Sequence, residues 1–529
     1  MPTLSNIEAE AVIPSGYSSA QDGAVSDLSF LRRLSVAAVA LGCLLRLAEY
    51  LLDRSLWMDE AYLALNILHR PFAGLFQPLD YHQGAPTGFL LLQKSAVLLA
   101  GTSEYALRLI PLLAGVASVF LFYKLATKTL LPNAVAIAIG LFAISPSLIY
   151  YSSEVKQYSI DVAVALVLYC LTIEGSRSEW KAWRVIATAF AGAAAIWISH
   201  ASIFVLAGSG ATLSITTLVR KDWVRLRRVS IICLVWAMSL AACYLVALRR
   251  LAADRELLDY WKDSFMPLPP HSLTDFKWFV DSFFGFFNTS AGLKFIGLAA
   301  LVSIIGGISI FRKSTERGFL LVAPAIFTLV ASGLHKYPFG GRLTLFLVPA
   351  ALLLMAEGTE LLRASTPRSV PAGGAVLLAL LFVDPGMYVL HHFARPHTEV
   401  AQPGIMFPEE LKPVVTYVQG HEGPGDLVYV FYGSQPAFEY YAERDHFIRD
   451  NVEIGSASGD DPHGYESDLN PLRGHRAWVI LSHTHGVGAG ESRHIFFYLD
   501  TLGPRLECFT RAGAEACLYD LRAAIATTH

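Results

Sequence analysis

The grouping of apolar residues constrains this chain more than any other feature. A helix that crosses a hydrocarbon core needs about 20 mostly apolar residues. Runs of that kind fall at about 34–52, 106–126, 131–150, 158–174, 182–198, 201–219, 229–249, 292–311, 319–334, 343–362 and 370–391. A shorter run, 85–100, carries Gln93 and Lys94 in its middle. Composition agrees with the pattern. Only 16% of the 529 residues are charged, against 54% hydrophobic, whereas soluble chains carry roughly 25% charged residues. Six Cys and abundant Leu, Val, Ile and Phe exclude a disulfide scaffold or a disordered chain. A net charge of −3 offers nothing to nucleic acid.

The expected architecture is an all-α polytopic membrane domain of about eleven transmembrane helices plus one juxtamembrane helix, followed by a soluble α/β domain. Residues 1–28 are polar and lack an apolar core, so they read as a disordered cytoplasmic tail and not as a secretory signal. Residues 29–394 form the membrane domain. From 395 to 529 charge, Gly and Pro rise, and apolar runs shorten to four to seven residues.

Lys and Arg in short loops collect on the cytoplasmic side. If 85–100 does not cross, one side holds Arg32 and Arg33, Lys124 and Lys128, Lys181 and Arg184, the basic loop 220–228, Arg312 to Arg317, and Arg363 with Arg368. If it does cross, the three most basic loops move to the other side while Arg32 and Arg33 stay. The run 85–100 is therefore read as an outer juxtamembrane or re-entrant helix. The segments 53–105, 150–157, 199–201, 250–291, 335–342 and 395–529 then face outward.

The polar clusters outside the basic loops lie in these outer segments. Trp57-Met58-Asp59-Glu60-Ala61-Tyr62 places two acids at the exit of the first span. Ionised carboxylates at membrane depth are costly unless solvated or partnered. They either cap an interfacial helix, or one of them serves as a general base or ligand in a surface cavity. Asp80-Tyr81-His82-Gln83-Gly84 precedes Pro86, which suits a first helical turn. His82 is a candidate contact there. Between two spans, Glu154 and Lys156 sit within an aromatic stretch that ends at Tyr158. They are either a self-compensating pair or a second acid and an anion contact facing Asp59. His200 occupies a tight outer turn. The loop 335–342 contains His335, Lys336, Tyr337, Gly340, Gly341 and Arg342. A guanidinium at a helix start gains nothing from the dipole, and its fork suits a phosphate. The long segment 250–291 holds Tyr260, Trp261 and a Phe-rich amphipathic stretch that suits the interface plane.

The order of these motifs resembles the GT-C superfamily of integral-membrane glycosyltransferases. The likeness is to the bacterial branch related to protein O-mannosyltransferases and lipid A aminoarabinose transferases, a glycosyltransferase family 39-like group. It is carried by Trp57 to Tyr62, His82 with Pro86, Gly101 through Glu104 to Arg108, Ser145-Pro146, Tyr150 to Tyr158, and Tyr337 to Arg342, and covers roughly residues 30–390. The resemblance implies a hexosyl- or pentosyltransferase that takes its sugar from a polyprenyl-phosphate donor, with inversion, and passes it to a glycan, lipid or protein. It implies Asp59 as base, with Glu60 and Glu154 shaping the site. Lys156, Arg342 and Lys336 would hold the donor phosphate, and His82, Tyr62, Tyr158, Tyr337 and His200 would line the substrate site. Such relatives often carry Arg where this chain has Lys156. Some need a divalent metal and others do not, so no metal ligand and no certain cofactor is assigned. The expected location is a bacterial inner membrane, with the site and the C-terminal domain on the extracytoplasmic side.

In the tail, Asp426–Tyr432 and Ala477–Ser482 read as short buried strands, and Ala437–Arg444 as a helix. Cys508 and Cys517 flank a hairpin turn and are open to either a disulfide or two free thiols. Ser482-His483-Thr484-His485 is not taken as a metal pair, and the tail is expected to help bind the acceptor. A transporter or flippase for lipid-linked sugars, or a non-catalytic assembly subunit, are the competing readings. A transporter would place ionisable residues at mid-membrane and repeat its halves, which this chain does not.

Overall fold

A computed structural model describes residues 16–177, 181–365, 372–396, 408–448, 450–457, 462–484 and 489–523. The chain opens with the long helix α1 (Gly16–Leu51), which begins inside the segment read as a tail; residues 1–15 lie outside the described residues. A short strap, 53–57, leads to α2 (Met58–His69). Next comes α3 (Thr87–Ala100), which at 14 residues spans about 21 Å at 1.5 Å per residue and is too short to cross. Its two polar interruptions have structural work. Gln93 donates to the Leu107 carbonyl at 2.8 Å, and Lys94 Nζ donates to the Ile67 and Leu68 carbonyls at 2.9 Å each, closing the end of α2.

After Gly101 (φ +88), Ser103 caps α4 (Glu104–Thr129), accepting from the Ala106 amide. The third predicted span is a bent pair, α5 (Pro132–Ile144) and α6 (Pro146–Tyr150), with a 56° break. Pro146 drives Ser145 into an extended conformation (ψ 119°). Then follow α7 (Tyr158–Arg177), α8 (Ala182–Ile198), α9 (Ser202–Val219) and α10 (Trp223–Cys243). The outer segment 250–291 contains the short helices α11 (Arg249–Leu251) and α12 (Arg255–Tyr260) and the amphipathic α13 (Leu273–Gly285), which starts with a Ser272/Asp275 capping box. The membrane part closes with α14 (Ile296–Lys313), α15 (Thr315–Gly333), α16 (Val348–Ser365) and α17 (Ala372–Ala394).

Among the described residues nine helices are long and apolar enough to cross a membrane, ten if the bent pair is one span. The 17-residue α8 falls just short of that length and occupies the predicted span 182–198, so the expected eleven are not all reached.

The C-terminal part is a five-stranded sheet of order β2-β1-β3-β5-β4, formed by β1 (Leu427–Val430), β2 (Val452–Ile454), β3 (Arg476–Ser482), β4 (Arg505–Arg511) and β5 (Ala514–Asp520). The first three strands run parallel, and β3, β5 and β4 pair antiparallel. Cys508 and Cys517 face each other across β4 and β5 and form a disulfide. Helices α18 (Leu411–His421) and α19 (Gln435–Arg444) pack against the sheet. One apolar core runs from Leu56, Leu63 and Phe89 of the membrane part to Val414, Phe438 and Trp478 of the C-terminal part. The two parts are thus welded by shared burial.

Helix packing in lipid relies on close backbone approach at small residues. In α14 and α16 this occurs at Gly306 and Gly358. A methyl built on Gly306 would collide with the Leu354 carbonyl, and one on Gly358 with the Val302 carbonyl. Gly307 faces open space. Gly306→Leu is therefore expected to destabilise the protein by roughly 3 kcal/mol through overpacking, while Gly307→Leu is neutral or mildly stabilising. Thermal unfolding of both variants in detergent checks this.

Candidate functional site

The site is built where the strap 53–57 turns into α2. Glu60, in the first turn of α2, is fully buried and receives a two-pronged ion pair from Arg108 of α4. Arg108 Nε lies 3.1 Å from Oε1 and Nη2 lies 2.8 Å from Oε2. The same guanidinium donates to the Arg54 carbonyl at 2.6 Å and to the Ser55 carbonyl at 3.3 Å, gripping the strap. Glu60 Oε1 also accepts the Val155 amide at 2.8 Å. Glu60 therefore ties α2, α4 and the 150–157 loop into one frame. Arg54 extends it, bonding Glu49 at 2.9 Å and the Ser153 carbonyl at 3.1 Å, with its guanidinium over the Tyr150 ring.

Asp59 precedes Glu60 and points the other way, into a cluster of cations. Lys156 Nζ donates to Oδ1 at 2.8 Å and Arg342 Nη2 to Oδ2 at 2.7 Å. Lys156 also donates to Gln83 Oε1 at 2.7 Å. The Arg342 guanidinium lies 5.2 Å from the Trp57 ring, 5.7 Å from Tyr158 and 6.0 Å from Trp261. Gly341, at φ +49, supplies the left-handed bend that aims it. The Gly341 carbonyl accepts from Ser290, which pairs in turn with Thr344. Burial works to raise the Asp59 pKa. Lys156 and Arg342 overcome that and hold the carboxyl below the ordinary aspartate range.

Glu154 is fully buried beside this cluster, and neither carboxylate oxygen has a hydrogen-bond partner among the described residues. Burial first, and the neighbouring Glu60 second, push it up to about 8. Two carboxyls in one site are thus driven apart, Asp59 ionised and Glu154 neutral near pH 7. With Glu60 and Arg108 cancelling, Asp59, Lys156 and Arg342 leave one net positive charge in a largely desolvated site. Arg342 Nε is buried without a hydrogen-bond partner among the described residues. An anion with several acceptor oxygens suits that arrangement.

Of the residues singled out in the sequence, Asp59, Lys156, Arg342 and Tyr158 converge, and Glu154 and Glu60 surround them. Tyr62 lies one turn along α2, stacked on Tyr81 with centroids 4.4 Å apart. The others stand apart. His82 is exposed and clamped between Asp254 at 3.0 Å and Glu256 at 3.1 Å, bracing the 250–291 segment. Lys336 is exposed and forms no ion pair among the described residues. Tyr337 donates to the Leu343 carbonyl and packs on Phe204, bracing its loop. His200 lines a small crevice with Gln83, Thr87 and Leu251, where burial lowers it to about 4.

Arg54, Gln83 and Trp261 entered without an assigned role, and Arg108 only as part of a motif. A charged residue inside an apolar run is a signal of its own, and Arg108 carried it. Among the described residues no three His, Cys, Asp or Glu side chains are arranged to hold a metal ion.

The Glu60–Arg108 pair yields a stability prediction. Arg108→Met strands a buried carboxylate and is expected to cost about 3–5 kcal/mol. The double variant Arg108→Met/Glu60→Leu recovers most of the loss, because neither charge is then left unpaired. Thermal melting of the three proteins in lipid measures both effects.

Comparison with known proteins follows from this geometry. Residues 84–246 match the family model described as dolichyl-phosphate-mannose-protein mannosyltransferase. Curated protein sequences yield no match. Among solved structures, ArnT from Cupriavidus metallidurans bound to undecaprenyl phosphate aligns at TM-score 0.54 and 13% identity, over 92% of this chain and 98% of that one. The oligosaccharyltransferase AglB from Archaeoglobus fulgidus, in complex with an inhibitory peptide and a dolichol-phosphate, aligns at TM-score 0.51 and 11% identity, over 93% and 77%. At such identities the structural likeness is one of fold. In sequence pattern over residues 84–246 and in fold over nearly its whole length, the chain resembles the GT-C membrane glycosyltransferases.

Proposed function

We propose that this protein is a glycosyltransferase that moves a hexose or pentose from a polyprenyl-phosphate donor to an acceptor hydroxyl on the extracytoplasmic face of a bacterial inner membrane. The acceptor is a glycan, lipid or protein of the cell envelope. The observation that carries this reading is the Asp59 carboxylate shared between Lys156 and Arg342. The likeness to proteins that bind undecaprenyl phosphate or dolichol-phosphate supports the donor class. The distribution of Lys and Arg, and a disulfide in the C-terminal part, support the outward orientation.

The donor phosphate is a diester with one negative charge. Its oxygens take hydrogen bonds from Lys156 and Arg342 and thereby release Asp59. The freed carboxylate accepts the proton of the acceptor hydroxyl. The hydroxyl oxygen bonds to the anomeric carbon from the face opposite the phosphate. The bond between that carbon and the phosphate oxygen breaks, and the configuration inverts. The leaving lipid phosphate gains a second negative charge, which the two cations stabilise more strongly than the single charge of the donor.

Two outcomes test this reading. With a panel of polyprenyl-phosphate sugars, wild type in lipid is expected to consume one donor, and folded Asp59→Asn to do so about a thousandfold more slowly. Equal consumption by the two proteins removes Asp59 as base. Tight donor binding with no consumption by either favours transport or assembly. The second outcome is a pH dependence. As pH rises through about 8, Glu154 loses its proton and adds a negative charge beside Asp59. Polyprenyl-phosphate affinity is expected to fall about tenfold over that rise, and the fall disappears in Glu154→Gln. Binding titrations on both sides of that pH measure it.

A further inference from the structure

The residue that sets the position of Asp59 is not confined to the membrane part. Past Asp53 (φ +49) the strap has no regular secondary structure, so the amides of Ser55 and Leu56 have no helical partners, and Trp57 at the N-cap of α2 supplies no side-chain cap. Those amides are held by the C-terminal part. Glu410 Oε2 accepts the Ser55 hydroxyl at 2.9 Å and the Ser55 amide at 3.4 Å. The Tyr441 hydroxyl accepts the Leu56 amide at 2.7 Å. In the other direction the Lys412 amide donates to Ser55 Oγ at 3.1 Å, and Lys412 Nζ binds Asp53 at 2.7 Å and Glu104 at 3.0 Å. Leu56 and Tyr441 are completely buried, so no water competes for that bond.

The anchors of the two cations are different. Arg342 is aimed by Gly341, Ser290 and Thr344, and Lys156 is tethered to Gln83, all in the membrane part. Lys156 and Arg342 bond Asp59 itself and Arg108 grips the strap carbonyls, but among the described residues the other anchors of the two cations lie in the membrane part, whereas the strap amides of Ser55 and Leu56 are held by the C-terminal part.

We infer that the C-terminal domain is a positioning element for the reaction, with Tyr441 and Glu410 as positioning residues that hold the strap and so place the Asp59 carboxylate. This rests on the glycosyltransferase reading above. It assigns the domain a part in turnover separate from any contact with the acceptor. Misplacing a catalytic group by about 1 Å costs up to about a hundredfold in rate, so loss of these bonds lowers turnover while the phosphate site persists.

The experiment uses the full chain in lipid nanodiscs and compares wild type with Tyr441→Phe, Glu410→Ala and the control Tyr440→Phe. Tyr440 donates to the Thr102 carbonyl at 2.7 Å, a bond between the same two parts that does not touch the strap. Three quantities are read: donor turnover, polyprenyl-phosphate affinity, and hydrogen exchange at the Ser55 and Leu56 amides. The expected result is at least a tenfold loss of kcat in Tyr441→Phe and Glu410→Ala, phosphate affinity within about twofold of wild type, and faster exchange at the two amides. Tyr440→Phe keeps wild-type values for all three. Unchanged kcat and exchange in both strap variants overturn the inference. Parallel loss of kcat and phosphate affinity in all three variants also overturns it, because that marks a general weakening of the fold. If wild type consumes no donor, the glycosyltransferase reading falls. Exchange at Ser55 and Leu56 then still decides whether the domain holds the strap.

Discussion

The buried pair between Glu60 and Arg108 is the constraint on which the rest of the site depends. Neither charge has access to water, so each must be matched by the other and by the groups around it. Arg108 uses its remaining donors on the strap carbonyls, and Glu60 uses a remaining lone pair on the Val155 amide. One ion pair thereby sets the relative position of three segments far apart in the chain. Asp59 and Lys156 meet at 2.8 Å because their neighbours Glu60 and Val155 are already bonded.

Around that frame, helix packing and electrostatics act at different ranges. Small residues let α14 and α16 approach closely, which fixes where the 335–342 loop emerges. Gly341 then turns the backbone, and Arg342 reaches Asp59 from the far end of the membrane part. Aromatic rings of Trp57, Tyr158 and Trp261 surround the guanidinium and keep the ion pairs in a medium of low polarity, where they are strong. The cost of that arrangement is an excess positive charge and an unmatched Glu154. An anionic, hydroxyl-bearing ligand, as the proposed function requires, would answer both.

Much of this was legible in the order of residues. The spans were readable because a bilayer imposes one length on every crossing helix, and the break at Pro146 follows from a local steric rule. Asp59, Lys156 and Arg342 could be picked out because ions beside long apolar spans need a reason to be there. His82 and Lys336 were drawn in by the same reasoning and stand elsewhere, one clamped by Asp254 and Glu256 and the other exposed. Residue type marks a capacity to bind, while the direction of a side chain depends on its neighbours.

The sequence by itself determined the membrane class, the order of the long apolar helices and the α/β character of the tail. These depend on local hydropathy, helix length and strand pattern, which neighbouring residues carry in their own order. Only the tertiary structure decided that Glu60 is a structural anchor while Asp59 faces the cations, although the two are adjacent. It alone brought Tyr441 to Leu56 across 385 residues of chain. Such pairings are chosen by long-range burial and by the need to match every buried charge and amide, and no local pattern encodes them.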